Sequence, residues 1–283
     1  MHTAMVMSPH ADDVAAFCGG TIAKFADQGW KVVIVRITDD AKDSVNLSEK
    51  ETVMRNAAEF RDAAKVLGVA ETVDLGFPTD ELIDVPFVKL RERLVYCLRK
   101  YRPYAVFSFD PLVVDGNTDH TRVALAVEDA YWLACFDLHH PKHFAEGLSP
   151  FSVCERWYFG DEVAKPNYVE DITDTIERKI QALCSHRTMM KNLVNQYRLK
   201  LQTWGRRSPI MEQAFDGEIE PLLSQVLRFQ SNAVAQKHSL GDEVFAEEFR
   251  VQRFDDLEAF FQKHTEKIQD APESPFRKGL DLE

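Results

Sequence analysis

The sequence predicts an α/β protein whose sheet is doubly wound and mostly parallel, followed by a helical C-terminal elaboration. Short runs of apolar and β-branched residues alternate with stretches of helical periodicity over the first 140 residues. Polar residues directly follow several of these runs, and longer helical stretches dominate the second half. Such an alternation of strands and helices requires parallel neighbouring strands joined by right-handed crossovers.

The chain begins with a strand, a short polar loop and a helix. Residues 4–7 form an apolar run that predicts a buried strand, and Pro9 ends it. Helical periodicity covers residues 14–27, and Gly29 follows as the stop signal. The loop between the two elements therefore lies where open α/β sheets place their sites, outside the carboxyl ends of the strands.

Three further strand–helix pairs follow in the first half. Residues 31–38 are rich in valine and isoleucine, which suits a strand that is buried on both faces. Ser48 and Glu51 then form a capping box, and Gly68 closes the helix that begins there. The apolar face predicted for this helix consists of Val53, Ala57, Phe60, Ala64 and Leu67. The other two pairs are a strand at residues 71–75 with a helix at 84–99, and a strand at 104–109 with a helix at 120–133.

The second half is predicted to cap the site that the first half builds. Residues 151–159 and 168–172 resemble strands, and residues 173–204 are strongly helical with a break. Shorter helical pieces continue to about residue 235, and residues 244–254 fit either a strand or an irregular lid. We therefore expect one domain at residues 1–267, with a core at 1–140 and a capping part at 141–267, followed by a flexible tail at 268–283.

Composition excludes some classes of function. The formal net charge is −12 over 283 residues, which repels phosphate backbones and argues against nucleic-acid binding. No apolar run approaches the ~18 residues that a membrane span requires, and the first residues lack signal-peptide character. The five cysteines form no C-x-x-C pair, so we expect reduced, buried thiols and a cytoplasmic protein.

Two polar loops predict a metal site. His10, Asp12 and Asp13 follow the first strand, and His120 stands at the start of the helix after the fourth strand. Both loops open onto the same edge of the predicted sheet. Zinc in hydrolases usually has three ligands from histidine and carboxylate side chains and keeps one position for water. We therefore expect His10, Asp13 and His120 to bind zinc or another divalent ion, with Asp12 as the general base.

Each of these residues also has a simpler interpretation. Asp13 alone is typical of a helix N-cap, and Asp119 can cap a helix that begins at His120. Asp110 ends the fourth strand, where it either supports a ligand or forms a turn before Pro111. The metal interpretation is favoured because both loops are assigned to one sheet edge independently, from the periodicity of the flanking elements.

Three segments resemble the PIG-L/LmbE-like N-acetylglucosaminyl deacetylases: PHADD at residues 9–13, GGTIA at 19–23 and GNTDH at 116–120. Weaker similarity lies at residues 64–69, 178–187 and 245–250. The resemblance implies a Rossmann-like fold and a zinc-dependent hydrolase that removes acetyl from an N-acetylated sugar or glycoconjugate. It also implies the same metal ligands and general base, and a homo-oligomer would fit the relatives in the family.

The chain departs from the family pattern in both loops. The first loop of the family usually reads His-Pro-Asp-Asp-Glu, and here Ala11 and Val14 replace the proline and the glutamate. The second loop usually reads His-Pro-Asp-His, and here Asn117 replaces a histidine that stabilises the oxyanion or protonates the amine. An asparagine amide can donate a hydrogen bond to an oxyanion, which typically contributes ~3 kcal/mol, but it cannot supply a proton.

Another group must then protonate the leaving amine. The candidates are Asp12 acting twice, His186, His238 and the loop histidines His139, His140 and His143. His186 has the best claim to face the pocket because it lies in a segment that resembles the family, whereas the loop histidines are expected at the surface. Two alternatives stay open: a zinc amidase on a different N-acyl substrate, and a sugar-binding module that lost turnover through Asn117.

Overall fold

The computed structural model describes residues 2–254, 257–266 and 268, and its centre is one twisted sheet. Within these residues the sheet has seven strands: β1 (Thr3–Ser8), β2 (Lys31–Thr38), β3 (Glu71–Phe77), β4 (Ala105–Phe109), β5 (Glu155–Phe159), β6 (Tyr168–Asp171) and β7 (Ala246–Gln252). Their order across the sheet is β3-β2-β1-β4-β5-β7-β6. The first five strands run parallel, and β7 runs antiparallel to both β5 and β6.

Helices cover both faces of this sheet. A π-helical turn at Val14–Cys18 leads into α1. The α-helices of the described residues are α1 (Gly19–Asp27), α2 (Glu49–Leu67), α3 (Phe87–Tyr101), α4 (Thr118–Ala134), α5 (Pro141–Ala145), α6 (Ile176–Ser185), α7 (Arg187–Thr203), α8 (Pro209–Phe215), α9 (Glu220–Lys237) and α10 (Glu258–His264). α1, α2, α6 and α9 contribute to the core on one face, whereas α3 and α4 contribute to the core on the other.

The central strands are buried on both sides, as the apolar runs predict. Ala4 and Val6 of β1 belong to the core on one face, and Met5 and Met7 belong to the core on the other. Side chains alternate along a strand, so a run that is apolar at every position must be covered twice. The doubly wound, mostly parallel sheet is thereby confirmed.

The start and end of α2 are confirmed, but its buried face is rotated from the predicted one. Ser48 and Glu51 form the capping box, and Gly68 ends the helix in the left-handed conformation with φ 78°. Thr52 and Asn56 are buried in place of Val53 and Ala57. The helix turns Asn56 inward because the Asn56 amide donates hydrogen bonds to the backbone carbonyls of Asp40 and Asp43, which lie in the loop after β2.

The second half of the chain contains the predicted helical break. It also shows which of the two predicted conformations, strand or lid, residues near 250 adopt. α6 and α7 are separated at His186, and residues 246–252 form strand β7 between β5 and β6, not a lid. No helix among the described residues is both long enough and apolar enough to cross a membrane. The division of residues 1–267 at position 140 stays a prediction, and residues 269–283 of the predicted tail lie outside the described residues.

Predictions about burial were also wrong for a cysteine and for a loop histidine. All five cysteines are free, but Cys135 is exposed although buried thiols were expected. His143 is 2% exposed although a surface position was predicted. Its ring lies 2.9 Å from Glu92 through Nε2 and 3.2 Å from Arg99 through Nδ1, so two charged partners compensate its burial.

Candidate metal centre

The two predicted loops meet at the carboxyl edge of the sheet. β1 pairs directly with β4, with Met5 opposite Val106, so the loops that follow these strands are neighbours. His10 and Asp13 lie in the first loop, immediately before the π-helical turn. His120 lies in the first turn of α4, which begins after the second loop. π-helical turns are rare and are found frequently at functional sites.

The three predicted ligands converge. His10 Nδ1 lies 3.2 Å from His120 Nε2, and the Asp13 carboxylate oxygens lie 3.5 Å from His10 Nδ1 and 3.3 Å from His120 Nε2. Two atoms bound about 2.0–2.1 Å from a tetrahedral zinc ion are about 3.3 Å apart. The spacing of two imidazole nitrogens and one carboxylate therefore fits a tetrahedral ion with a fourth position for another ligand.

Each histidine has a carboxylate at its other ring nitrogen. Asp119 lies 3.4 Å from His10 Nε2, and Asp115 lies 2.9 Å from His120 Nδ1. The Asp119 carboxylate also accepts hydrogen bonds from the backbone amides of Asp80 and Leu82, so it is itself fixed. Such partners orient metal-binding imidazoles and raise their basicity. Asp119 was predicted from the sequence, whereas Asp115 was missed, although its position in the same loop as His120 was a signal for it.

The charges around the three ligands favour a cation. Burial lowers the pKa of His10, but hydrogen bonds to Asp119 and Asp13 outweigh it and raise the pKa well above its ordinary value. Burial likewise lowers the pKa of His120, and the Asp13 charge raises it above the ordinary value. Burial raises the pKa of Asp13, but the two histidines lower it overall. The metal-free cluster therefore holds protons at positions where a divalent ion would bind in their place.

Asp12 lies beside this cluster and is partly exposed. Burial and the neighbouring Asp13 charge raise the pKa of Asp12 to about 8. A cation at the three ligands would lower this pKa, because opposite charge favours the ionised carboxylate. With a cation bound, Asp12 would be ionised at neutral pH and able to accept a proton, as a general base requires.

Asn117, not Asp119, caps α4, which corrects the predicted start of the helix at His120. The Asn117 side-chain oxygen accepts hydrogen bonds from the backbone amides of Asp119 at 2.8 Å and His120 at 3.4 Å. α4 therefore begins at Thr118. Since the amide oxygen is occupied by the helix terminus, the Nδ2 group is the part of Asn117 that can donate to a ligand.

A cavity of about 280 Å³ adjoins His120. Its lining residues are Phe109, Asp110, Val113, Val114, Asp115, Gly116, His120, Thr121, Ala124, Phe159, Gly160, Asp161 and Glu162. Acidic and apolar side chains line this space, and none of the described residues around it is lysine or arginine. Asp110 does not have a free carboxylate, because the Arg250 guanidinium binds both of its oxygens.

The other candidate proton donors are less suited to the step than Asp12. His186 is 1% exposed in the core between α6 and α7, and neither ring nitrogen has a hydrogen-bond partner within the described part of the chain. Burial lowers its pKa to about 4, so its ring is neutral at physiological pH. His238 is held 2.7 Å from Glu248.

The loop histidines are remote from the metal centre. They follow the C-terminal end of α4, whereas His120 lies in its first turn. A helix of 17 residues such as α4 is about 25 Å long at its usual rise. His139, His140 and His143 are therefore too far away to protonate an amine at the site.

Comparisons with known proteins identify relatives of this chain. The PIG-L family model, described as GlcNAc-PI de-N-acetylase, matches residues 5–131. Diacetylchitobiose deacetylase from Thermococcus kodakarensis is 32% identical over 186 residues, which cover 64% of this chain and 68% of that protein. The probable N-acetyl-alpha-D-glucosaminyl L-malate deacetylase 2 from Bacillus cereus is 24% identical over 206 residues, covering 70% and 88%.

A solved structure is similar over most of the chain. The N,N'-diacetylchitobiose deacetylase from Pyrococcus horikoshii superposes with a TM-score of 0.70 and 25% identity, covering 93% of this chain and 86% of that one. The family match contains both metal-site loops. The resemblance seen in the sequence is confirmed, and this chain belongs to the PIG-L family of deacetylases, which are hydrolases of amide bonds.

Proposed function

We propose that the protein is a zinc-dependent deacetylase of N-acetylated amino sugars. The observation that carries this proposal is the mutual spacing of His10 Nδ1, His120 Nε2 and the Asp13 carboxylate, which matches the edge of a zinc tetrahedron. The adjacent cavity provides space for a sugar next to His120. The names of the relatives, which are deacetylases of diacetylchitobiose and of an N-acetylglucosaminyl malate, support the substrate class.

In the proposed reaction, different residues bind the metal, accept the proton and stabilise the oxyanion. His10, Asp13 and His120 would hold the ion, which when bound polarises the acetamide carbonyl and lowers the pKa of water. Asp12 accepts a proton from the attacking water. The Nδ2 group of Asn117 donates a hydrogen bond to the oxyanion as it forms.

Asp12 also supplies the proton that the leaving amine needs. Once it has accepted a proton from the attacking water, Asp12 carries the proton that the amine requires. The burial of His186 and the remote position of the loop histidines remove the main rivals for this step. The reaction then releases acetate and a free amine, with one carboxylate acting first as base and then as acid.

The experiment that tests this function is a screen for acetate release. N-acetylated mono- and disaccharides are incubated with the protein in the presence of zinc, and again after chelation. We expect release that depends on the metal and is restored by added zinc. Calorimetry on the same sugars separates the alternatives, because binding heat without acetate release would indicate a sugar-binding module, and release only from non-sugar amides would indicate a different amidase.

The charge of the cavity favours a neutral sugar over an anionic conjugate. Its acidic lining residues are Asp110, Asp115, Asp161 and Glu162, and of these Asp110 is neutralised by Arg250. A malate carboxylate placed in this cavity would meet the like charges of these side chains, and no lysine or arginine among the described residues lines the cavity to compensate them. We therefore expect a higher kcat/KM for N,N'-diacetylchitobiose than for an N-acetylglucosaminyl malate, and the reverse order would reject the neutral-sugar assignment.

Two broader expectations stay proposals. The free state of all five cysteines is consistent with a reducing compartment and supports a cytoplasmic location. Fractionation of cells that produce the protein tests the location. Self-association is an expectation from the family resemblance, and light scattering of the purified protein measures it directly.

A further inference from the structure

We propose that Arg250 is a positioning residue for deacetylation, which acts through Asp110 on the wall of the cavity beside His120. The inference rests on the proposed function only in assigning this cavity to the substrate. Arg250 lies on β7, the strand between β5 and β6, and is not among the described residues that line the cavity. Its effect on the reaction must therefore pass through the residues that it holds.

Arg250 and Asp110 form a buried, bidentate ion pair. Arg250 Nε donates to Asp110 Oδ2 at 3.0 Å, and Nη2 donates to Oδ1 at 2.5 Å. The guanidinium also lies 3.9 Å from the centre of the Tyr158 ring. Arg250 is 7% exposed and Asp110 is 4% exposed, so the pair is shielded from water. This bidentate geometry matches arginine and is not available to lysine.

Asp110 uses the rest of its hydrogen-bonding capacity on two loops. Its Oδ1 accepts a hydrogen bond from the backbone amide of Leu112 at 3.0 Å, and its Oδ2 accepts one from the backbone amide of Ala164 at 3.0 Å. With two bonds from Arg250, each oxygen has two donors, which fills the capacity of an ionised carboxylate. We infer that Asp110 joins the loop at residues 110–117 to the loop at residues 160–165.

Both loops build the substrate side of the site. The first carries Asp115, whose carboxylate contacts His120 Nδ1 at 2.9 Å and accepts the backbone amide of Asn117 at 2.7 Å. The second carries Asp161 and Glu162, which line the cavity opposite. A change at Arg250 therefore reaches His120 through Asp110 and Asp115, and it reaches the cavity wall through Asp110 and Ala164.

The test compares Arg250→Lys with Arg99→Lys as a matched control. Arg99 is also a buried arginine, but it binds the carbonyls at the C-terminal end of α4, about 20 Å along the helix from His120. We expect Arg250→Lys to raise KM for the sugar about tenfold, the factor associated with one charge-assisted hydrogen bond, with a smaller change in kcat. Arg99→Lys should lower the melting temperature and leave KM unchanged.

Zinc affinity gives a readout that does not depend on turnover. Chelator competition on the apoprotein should show weaker zinc binding in Arg250→Lys and in Asp110→Asn, because both loosen the loop that orients His120. The double variant, with Arg250→Lys and Asp110→Asn combined, should have the same zinc affinity as whichever single variant binds zinc less tightly. The effects should not add, because the two residues act as one unit. If Asp110→Asn does not fold, Arg250→Lys, which keeps the positive charge, still provides the comparison with Arg99→Lys.

The outcomes are distinct. Arg250→Lys with lowered stability but unchanged KM and unchanged zinc affinity would overturn the positioning role and leave a purely structural ion pair. Additive effects in the double variant would show that Arg250 does not act through Asp110. Absence of acetate release by the unmodified protein from every N-acetylated sugar would reject the proposed function, whereas the zinc measurements would still decide the role of Arg250.

Discussion

At the scale of single residues, each histidine of the candidate metal site is paired with a carboxylate. His10 and His120 each direct one ring nitrogen to the shared position and place the other against a carboxylate. This arrangement selects the tautomer of each ring and keeps both rings in place without a metal. Asp12 is not one of the three converging ligands, so its carboxylate is left available for proton transfer.

Replacement of Asp12 tests the general base. Asp12→Asn should reduce kcat by about 10²–10⁴-fold, because an amide cannot accept the proton of the attacking water. The zinc content measured by elemental analysis should stay unchanged, since the ligand cluster consists of His10, Asp13 and His120. Asp13→Asn provides the comparison and should lose metal. Full activity in Asp12→Asn would remove the proposed base.

The raised pKa values predict how the metal-free protein responds to pH. His10, His120 and Asp12 all bind protons more tightly in the folded chain than ordinary histidine and aspartate do. The folded state therefore loses stability as pH rises above about 6.5, the ordinary histidine pKa, towards the raised folded-state pKa values of His10 and His120. Asp12 adds to this loss up to about pH 8, and its contribution begins to fall near its ordinary pKa of 3.8. Thermal unfolding of the apoprotein should show a falling melting temperature over this range. Zinc should oppose the fall, and a rising melting temperature in the apoprotein would contradict the assignment.

At the scale of secondary-structure elements, β7 contacts the N-terminus of α1. Glu247 on β7 accepts hydrogen bonds from the backbone amides of Gly20 at 3.0 Å and Thr21 at 2.8 Å, in the first turn of α1. Lys179 of α6 donates to the same carboxylate at 2.6 Å, and both side chains are buried. An anion at a helix N-terminus is favourable because the amides there have no partner within the helix. The loop with His10 and Asp13 is thus followed by a helix whose start is fixed from the far end of the chain.

A single substitution tests this contact. Glu247→Gln leaves the Lys179 ammonium buried without its counter-charge, so the free energy of unfolding should fall by about 3 kcal/mol or more. Glu248→Gln is the matched control, because Glu248 is the next residue and its two partners, Lys237 and His238, are less buried than Lys179. Its effect should stay within about 1 kcal/mol, as for other surface pairs. Urea unfolding measures the free energy of unfolding of both variants. Equal decreases in the two variants would show that the buried Glu247–Lys179 pair contributes no more than a surface pair.

At the scale of the whole molecule, the chain carries a large net negative charge, and its candidate site contains several carboxylates. The net charge of the chain is −12, and no described residue that lines the cavity is a lysine or an arginine. Such a field slows the approach of anionic ligands and has little effect on neutral ones. The charge distribution therefore supports selection against anionic conjugates before the substrate reaches the metal.

Ionic strength tests this selection. Added salt screens long-range repulsion, so kcat/KM for an anionic N-acetylglucosamine conjugate should rise as salt increases. The value for N,N'-diacetylchitobiose should change little over the same range, and it serves as the control. Steady-state rates at several concentrations of an inert salt give the comparison. A fall in kcat/KM for the anionic substrate would indicate a hidden cationic subsite.

Most of the strand and helix assignments followed from local patterns. The apolar run at residues 31–38 and the capping box at Ser48 and Glu51 are signals that need no distant partner. The convergence of His10, Asp13 and His120 was also predictable, because parallel strands bring the loops after β1 and β4 to one edge. Periodicity and topology together were sufficient for these features.

Other features depend on contacts between distant parts of the chain. Arg250 and Asp110 are separated by 140 positions, and Glu247 and Gly20 by 227, so no local pattern links them. The burial of His186 likewise appears only when the elements pack. The capping role of Asn117 and the Asp115–His120 contact are local, and short-range signals for them were overlooked. Chain order and periodicity specify which elements form and which edge they share. The pairing of buried charged groups is specified by packing, because each such group must find a partner in three dimensions once water is excluded.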